Sequence, residues 1–283
     1  MKLSAAIEVA SAKFEKAGIE SFQADAEILL GYVLGLSRGE LQVKAITGEE
    51  LDSEAELKFL ELVEKRAQRF PLQHLTGIAH FRQLELKVGP GVFVPRFETE
   101  GVTQIAIDAL RAVPSGNPIA VDLATGSGAI ALSIAHEVPH AKVYAVELSE
   151  DALKYTRENF ARYAPEANLV QGDLADAFPE LNGQVDVLIS NPPYIPDAMI
   201  PIYPEVHLHD PDLALYGGSD GLDLVRKVEA TARRLLREGG ALVIEHADMQ
   251  GDAIRELILS LGWRHCTTHK DLAGRDRATS AIS

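Results

Sequence analysis

A single cysteine, Cys266, leaves this chain of 283 residues no internal disulfide and no multi-cysteine metal site. Positive charge is also short: 27 lysines and arginines face 42 aspartates and glutamates, a formal net charge of −15. Those cations are scattered, which argues against a protein that grips nucleic acid through its phosphates. No apolar run approaches the ~18 residues of a membrane helix, and Met1 is followed by no basic-then-apolar signal pattern. Internal repeats and low-complexity segments are absent too. The expectation is a cytoplasmic protein with no membrane partner and no direct nucleic-acid partner. The length suits one large domain or a main domain with a smaller one. A 46% hydrophobic content is that of an ordinary soluble globular protein.

Against these absences one stretch stands out, Asp186-Val-Leu-Ile-Ser-Asn-Pro-Pro-Tyr194. Its apolar run reads as a buried parallel strand that stops abruptly. Pro192 and Pro193 lack an N–H, fix their own φ and bias the preceding residue towards extended backbone. Asn191 to Tyr194 is therefore a stiff bracket at a strand's C-terminal end, where open α/β sheets bind ligands. The Asn191 side-chain oxygen and the Pro192 carbonyl are two converging acceptors, suited to a planar –NH₂ group. Tyr194 can stack on the flat group that carries it. The bracket reads as a clamp for an amide or an exocyclic base amine.

Taken in order, residues 1 to about 70 are helical in pattern. Leu3 to Ala17 ends at Gly18, and Gln23 to Leu34 ends at Gly35. Ser53 to Glu56 has the spacing of a capping box, with Leu57, Leu60, Val63 and Ala67 expected on one buried face and Pro71 as the stop. From Gln73 to Arg96 the pattern becomes that of a β-hairpin, with Phe81 to Val88 as one strand, a turn at Gly89-Pro90-Gly91, and Val92 to Val94 as the other. Strands are then expected at Ile119–Ala124, Lys142–Val146, Leu169–Gln171, Val187–Ile189 and Ala241–Glu245, with helices between them. A closing hairpin is expected from Trp263–Lys270 and Ala278–Ser283. Alternation of this kind means a doubly wound parallel sheet.

The turn after the first of these strands, Gly126-Ser127-Gly128-Ala129-Ile130-Ala131, fits Gly-x-Gly-x-x-Ala, and Glu147 lies 21 residues after Gly126. By letter this is a dinucleotide fingerprint. S-adenosylmethionine (SAM) and NAD both carry an adenosine, so both satisfy it. Two features favour SAM. Asp173, after the third strand, is placed to accept from an adenine amino group, and the Asn-Pro-Pro-Tyr clamp has no role in hydride transfer. Acids at successive strand ends, Asp122, Glu147 and Asp173, point to a ligand more strongly together than singly.

These motifs give the chain a resemblance to the release-factor glutamine methyltransferase family. It rests on Pro71-Leu72-Gln73 with Gly77, Val94-Pro95-Arg96, Glu98-Thr99-Glu100, Asp122 through Ile130, Glu147, Asn191 through Tyr194, Gly217-Gly218 with Asp220-Gly221-Leu222, Glu245-His246, Gln250 and Asp271 through Arg277. The resemblance implies an N-terminal helical substrate-recognition domain (1–72), a β-hairpin linker (73–98) and a seven-stranded SAM-dependent methyltransferase domain (99–283). It implies methylation of the side-chain amide nitrogen of the glutamine in the Gly-Gly-Gln motif of class-I peptide chain release factors. Asn191, Pro192, Pro193 and Tyr194 would carry the substrate amide, with Asn191 and Asp122 also counted among the SAM-binding residues. Ala124, Thr125, Gly126, Ser127 and Gly128 would line the SAM methionine and ribose, Glu147 would hold the ribose, Asp173 with Leu174 would border the adenine, and Phe93 would help to shape the site. Ala124 stands where the family usually has glycine, Phe97 where it has proline, and Ala247 where it has glycine.

Competing readings are a ribosomal-protein glutamine methyltransferase and, since the same clamp can grip a flipped base, an adenine-amino nucleic-acid methyltransferase. A non-catalytic SAM-binding protein and an NAD oxidoreductase stand further off. No metal site is expected: His207, His209 and Asp210 lack further spaced ligands and read as a solvated loop. Glu205-Val206 and Asp210-Pro211 read as a flap over the site. Cys266 and Trp263 read as packing residues, His246 as a satisfied buried histidine, and the chain as a monomer.

Overall fold

The computed structural model describes residues 1–283, which form two compact units: Met1–Ile78 with Ile202–His209, and Ala79–Pro201 with Asp210–Ser283. The first unit contains α1 (Leu3–Lys16), α2 (Phe22–Leu34), α3 (Arg38–Ile46), α4 (Ser53–Ala67) and the short α5 (Leu72–Thr76). Gly35 ends α2 in the left-handed conformation, as its position predicts. Leu3, Ala6, Ala10, Phe14, Leu29, Leu30, Leu41, Phe59 and Val63 fill the space between these helices.

Two expectations for this unit are corrected. The capping box belongs to Ser37 and Glu40 at the start of α3, whereas α4 is capped by Asp52, whose side chain accepts from the Ala55 N–H at 2.8 Å. The buried face of α4 is Phe59, Val63 and Arg66; Leu57 is 73% exposed. Arg66 reaches the interior because Asp25 of α2, also buried, accepts from its Nε at 2.7 Å.

The second unit opens with β1 (Ile78–Phe81, its first residue still in the helical unit) and β2 (Leu84–Lys87), a separate two-stranded sheet. Its turn is Arg82-Gln83, with Arg82 at φ 50°, so the stretch expected as one strand is folded back on itself and Val92–Val94 is irregular chain. Arg82 is held there: Glu137 accepts from its Nε at 2.5 Å and the Glu100 side chain from its backbone N–H at 3.0 Å. Then follow α6 (Phe97–Arg111), β3 (Ile119–Leu123), α7 (Ala129–Glu137), β4 (Lys142–Glu147), α8 (Glu150–Tyr163), β5 (Asn168–Gln171) and β6 (Val185–Ser190). After α9 (Pro204–His209), which lies in the helical unit, come α10 (Asp223–Leu235), β7 (Leu236–Glu245), α11 (Gly251–Ser260), β8 (Arg264–Lys270) and β9 (Asp276–Ile282).

The seven-stranded sheet has the order β5-β4-β3-β6-β7-β9-β8; β9 pairs antiparallel with both β7 and β8, and every other pair is parallel. Both faces are covered, so β6 is buried along its whole length. Ala120, Val187, Ile189 and Val243 pack with α6 and α7 residues such as Ile107 and Leu132. Val121, Leu123, Leu188 and Ile244 pack with Val225 and Val228 of α10 and Ile254 and Ile258 of α11. From β3 the chain winds outward to β4 and β5, then returns to β6 on the other side of β3. The winding reverses between β3 and β6, which makes their C-terminal ends the natural ligand crevice.

The stretch after β6 is not a free flap. Glu205 of α9 bonds Arg66 at 2.9 Å and Arg69 at 2.6 Å within the helical unit, while Asp210 pairs with Arg96 at 2.9 Å in the sheet unit. His209 stacks on Phe70 with ring centroids 4.0 Å apart.

Arg66 thus serves two carboxylates from a buried position. Arg66→Ala leaves Asp25 buried without its partner and should cost about 3–5 kcal/mol of helical-unit stability. Urea denaturation followed by circular dichroism checks this; a loss below about 1 kcal/mol, the size of an exposed pair, would mean that Asp25 finds another partner.

Candidate active site at the sheet switch point

Leu123 and Ser190, the last residues of β3 and β6, are register partners, and the Ser190 hydroxyl donates to the Leu123 carbonyl at 2.7 Å. The segments leaving these two ends are Ala124–Gly128 and Asn191–Tyr194. Glu147 ends β4 next to the first segment and Glu245 ends β7 next to the second.

The glycine turn is held from three directions. The Thr125 N–H donates to the Val146 carbonyl at 3.0 Å, and the Gly126 N–H to Glu147 Oε2 at 2.8 Å. Thr156 of α8 donates to the Gly126 carbonyl at 2.6 Å, and Asn159 Nδ2 to the Ser127 carbonyl at 2.9 Å. Asn159 also exchanges two bonds with the Lys87 backbone, tying the end of β2 to the turn. Sequence reasoning missed Thr156 and Asn159. Their only signal is two polar residues three apart on the buried face of α8.

Asp122 is 1% exposed and serves the turn from beneath, accepting from the Thr125 hydroxyl at 2.5 Å and the Ala131 N–H at 3.2 Å. Burial pushes its carboxyl up to about 7 against these bonds. Glu147 is also raised by burial, with each oxygen accepting one backbone N–H, from Gly126 and from Ser149. Each oxygen keeps a further lone-pair direction. A Cβ built on Gly126 would meet nothing within 4 Å. Paired acceptors beside an open glycine backbone fit the vicinal hydroxyls of a ribose. Asp173 accepts from the Ala175 N–H at 2.9 Å and lies 3.7 Å from Lys227 Nζ; Leu174 is buried in the sheet core. The Phe93 ring lies 4.9 Å from the Arg96 guanidinium.

Ala124 sits at φ 60°. A left-handed alanine is strained by about 1–2 kcal/mol, so the departure from glycine here loads the backbone.

The second segment is braced by chain far away in sequence. The Ile195 N–H donates to the Leu215 carbonyl and the Gly217 N–H to the Ile195 carbonyl, both at 2.9 Å. Gln250 Nε2 donates to the Tyr194 carbonyl at 2.9 Å. Gly221 lies so close that a Cβ there would come within 2.3 Å of that same carbonyl. Tyr194 is neutral, its phenol pushed up by burial and by nearby Glu245. Asn191 Nδ2 donates to Thr99 Oγ1 at 3.4 Å, and Thr99 donates to Glu245 Oε1 at 3.1 Å.

Other candidates are fold residues. His246 is fully buried, Nδ1 against the Ala247 carbonyl at 2.8 Å and Nε2 against the Thr279 hydroxyl at 3.0 Å, its pKa lowered by burial. Trp263 donates to Glu229 at 2.6 Å. Cys266 packs against the sheet core, its thiol pushed up by burial.

Two family models match the chain: PrmC N-terminal domain over residues 5–77 and Methyltransferase small domain over residues 83–200. Over 281 residues the chain is 50% identical to the release factor glutamine methyltransferase of Streptomyces coelicolor, covering 99% of this chain and 97% of that one. The chain belongs to the release factor glutamine methyltransferase family. The Bifidobacterium longum member is 42% identical over the full length of both chains. A methyltransferase structure from Pyrococcus furiosus shares the fold at a TM-score of 0.50, with 21% identity and coverage of 82% of this chain and 98% of that one. The seven-stranded methyltransferase sheet and the enzyme class expected from the sequence therefore stand.

Ala124→Gly should relieve the turn and raise stability by about 0.5–1 kcal/mol, the strain removed less the added freedom of the unfolded chain. A thermal melt reads it, and a destabilised variant would show that the alanine methyl is needed for packing. Asp122 gives a pH dependence. Between its ordinary 3.8 and about 7 the folded protein binds more protons here than the unfolded chain, so this carboxyl's contribution to stability falls as pH rises. Asp122→Asn should therefore gain on the parent protein from pH 4 to pH 7, by no more than about 1.4 kcal/mol per pH unit. Urea titrations across that range test it; a constant difference would mean that the folded carboxyl is already ionised at pH 4.

Proposed function

We propose that this protein methylates the side-chain amide nitrogen of the glutamine in the Gly-Gly-Gln motif of class-I peptide chain release factors, with SAM as methyl donor. The observation that carries the reading is Asn191. Its Nδ2 is committed inward to Thr99, so its Oδ1 is the face left for a ligand, beside a Pro192 carbonyl in a braced, extended segment. The relatives named for this activity align along the whole chain.

When bound, SAM supplies an electrophilic methyl carbon on a sulfonium. Glu147 holds its ribose hydroxyls, the Ala124–Gly128 backbone borders its methionine and ribose, and Asp173 with Leu174 borders its adenine. Asp122 acts through the turn, and Phe93 helps to shape the site. The helical unit recognises the release factor.

An amide nitrogen is a poor nucleophile because its lone pair is delocalised, to the extent of a rotation barrier of ~18–20 kcal/mol. The chain's own contribution is alignment, worth up to ~7–11 kcal/mol when reacting atoms are held near attack distance. Asn191 Oδ1 and the Pro192 carbonyl accept one N–H each, which orients the amide and stabilises positive charge growing on nitrogen. Tyr194, kept neutral, stacks on the amide plane. No base is needed before transfer, since the proton can leave the methylated nitrogen afterwards.

Incubating a purified class-I release factor with the protein and SAM should add one methyl group to the Gly-Gly-Gln glutamine, read by peptide mass spectrometry. Asn191→Ala should lower the single-turnover rate by about a hundredfold or more, the size of losing one transition-state hydrogen bond, with SAM affinity by calorimetry nearly unchanged. Equal losses in rate and SAM affinity would rule out the clamp role. An unmodified glutamine with SAM bound would redirect the substrate to ribosomal proteins.

A further inference from the structure

Among the buried polar groups that a methyl-transfer scheme leaves unused, Glu245 and Thr99 form a chain that ends on the clamp. Glu245, at the end of β7, is 2% exposed, and its Oε2 has no hydrogen-bond partner. Thr99, in the first turn of α6, is 3% exposed. Its hydroxyl has one proton, and Glu245 Oε1 takes it at 3.1 Å. The lone pairs that remain on Thr99 Oγ1 can only accept, and Asn191 Nδ2 donates to them at 3.4 Å.

We propose that Thr99, oriented by Glu245, is a positioning residue that fixes which way the Asn191 amide faces, so that Oδ1 and not Nδ2 meets the substrate. This role for Thr99 rests on the clamp reading of Asn191. An asparagine side chain turned by 180° has nearly the same shape, so packing alone does not select between the two orientations. Polarity does. Burial pushes the Glu245 carboxyl up to about 7, so above that pH the Thr99 proton is spent on a carboxylate. A reversed Asn191 would then set its oxygen against an oxygen with no proton to give, and its –NH₂ against the –NH₂ of the substrate. Both contacts would then be like against like. The 3.4 Å bond is long, as such bonds often are before a substrate closes the site.

Replacing Thr99 by valine keeps the branched shape and removes the hydroxyl, so the fold should survive. In single-turnover assays above about pH 8, where the Glu245 carboxyl is ionised, and at saturating SAM and release factor, Thr99→Val should slow methylation about ten- to a hundredfold, the scale of a misoriented reactant. The KM for release factor and the SAM affinity should change little, while the melting temperature falls because Glu245 loses its one hydrogen bond. Thr99→Ser should recover most of the rate. Glu245→Gln should slow the Thr99 enzyme, because a carboxamide can donate and free the hydroxyl proton to turn towards Asn191. None of these changes should cost anything further in an Asn191→Ala background, because no side-chain amide is left to orient. Undiminished losses in that background would overturn the relay while leaving the clamp intact, and so would a serine that fails to restore the rate or a Thr99→Val enzyme at full speed. An Asn191→Ala protein that methylates normally would overturn the clamp and the relay together.

Discussion

The parallel pairing of β3 with β6 is the contact on which the site depends. Leu123 and Ser190 end their strands in register, and the Ser190 hydroxyl closes the pair on the Leu123 carbonyl. A slip of one residue would turn every side chain of a strand to the other face. Because β6 is buried on both faces, such a slip would also break both cores. The register therefore guarantees that the glycine turn and the proline bracket begin at the same level of the sheet. All later precision, from the Glu147 bonds to the Gly221 contact, is built on that common origin.

Each segment is then fixed by groups from elements remote in sequence. Thr156 and Asn159 take the turn's carbonyls, and Asn159 binds the end of β2 at the same time, so the hairpin and the turn share one side chain. The bracket's own prolines stiffen it but remove two donors, so bracing has to come from its carbonyls and from Ile195 onward. Gln250 and the Leu215–Gly221 stretch provide this, and glycine at 221 is required because any side chain would collide with the Tyr194 carbonyl.

The strands of the main sheet were legible because buried parallel strands are short apolar runs between turn residues, and β3, β4, β6 and β7 all have that form. The Asn191–Tyr194 segment was legible as an abrupt strand end for the same reason, with two prolines closing the apolar run of β6. What was not legible follows a common cause. Arg66 is buried only because Asp25 meets it, so the charged residue hid the true face of α4 and promoted Leu57 and Leu60 in its place. Arg82 makes a turn that its letter does not announce, since Glu100 and Glu137 hold a conformation which few residues adopt unaided. Strand-end acids look alike in sequence, yet Asp122 gives one oxygen to both the Thr125 hydroxyl and the Ala131 N–H, while Glu147 shares its two oxygens between the Gly126 and Ser149 N–H groups. Such distinctions depend on which donors tertiary contacts bring, and pattern alone carries none of that.

The same reasoning explains why the residue proposed as the clamp is an asparagine. A carboxylate at position 191 would accept from a substrate amide more strongly and would stabilise a developing cation better. It would also lie one hydroxyl away from Glu245, whose own carboxyl is already pushed up to about 7 by burial. Two carboxyl groups sharing such a site do not both ionise, and one of them becomes a proton donor. Facing an amide –NH₂, a donor is the wrong partner. Asparagine offers an oxygen that accepts at any pH, and its other half can be tethered to the buried acid through Thr99. The acid at the end of β7 and the neutral amide at the end of β6 are thus two halves of one choice. In the proposed clamp the acid is thereby kept one step back from the substrate amide, where, once ionised, it orients Asn191 through Thr99.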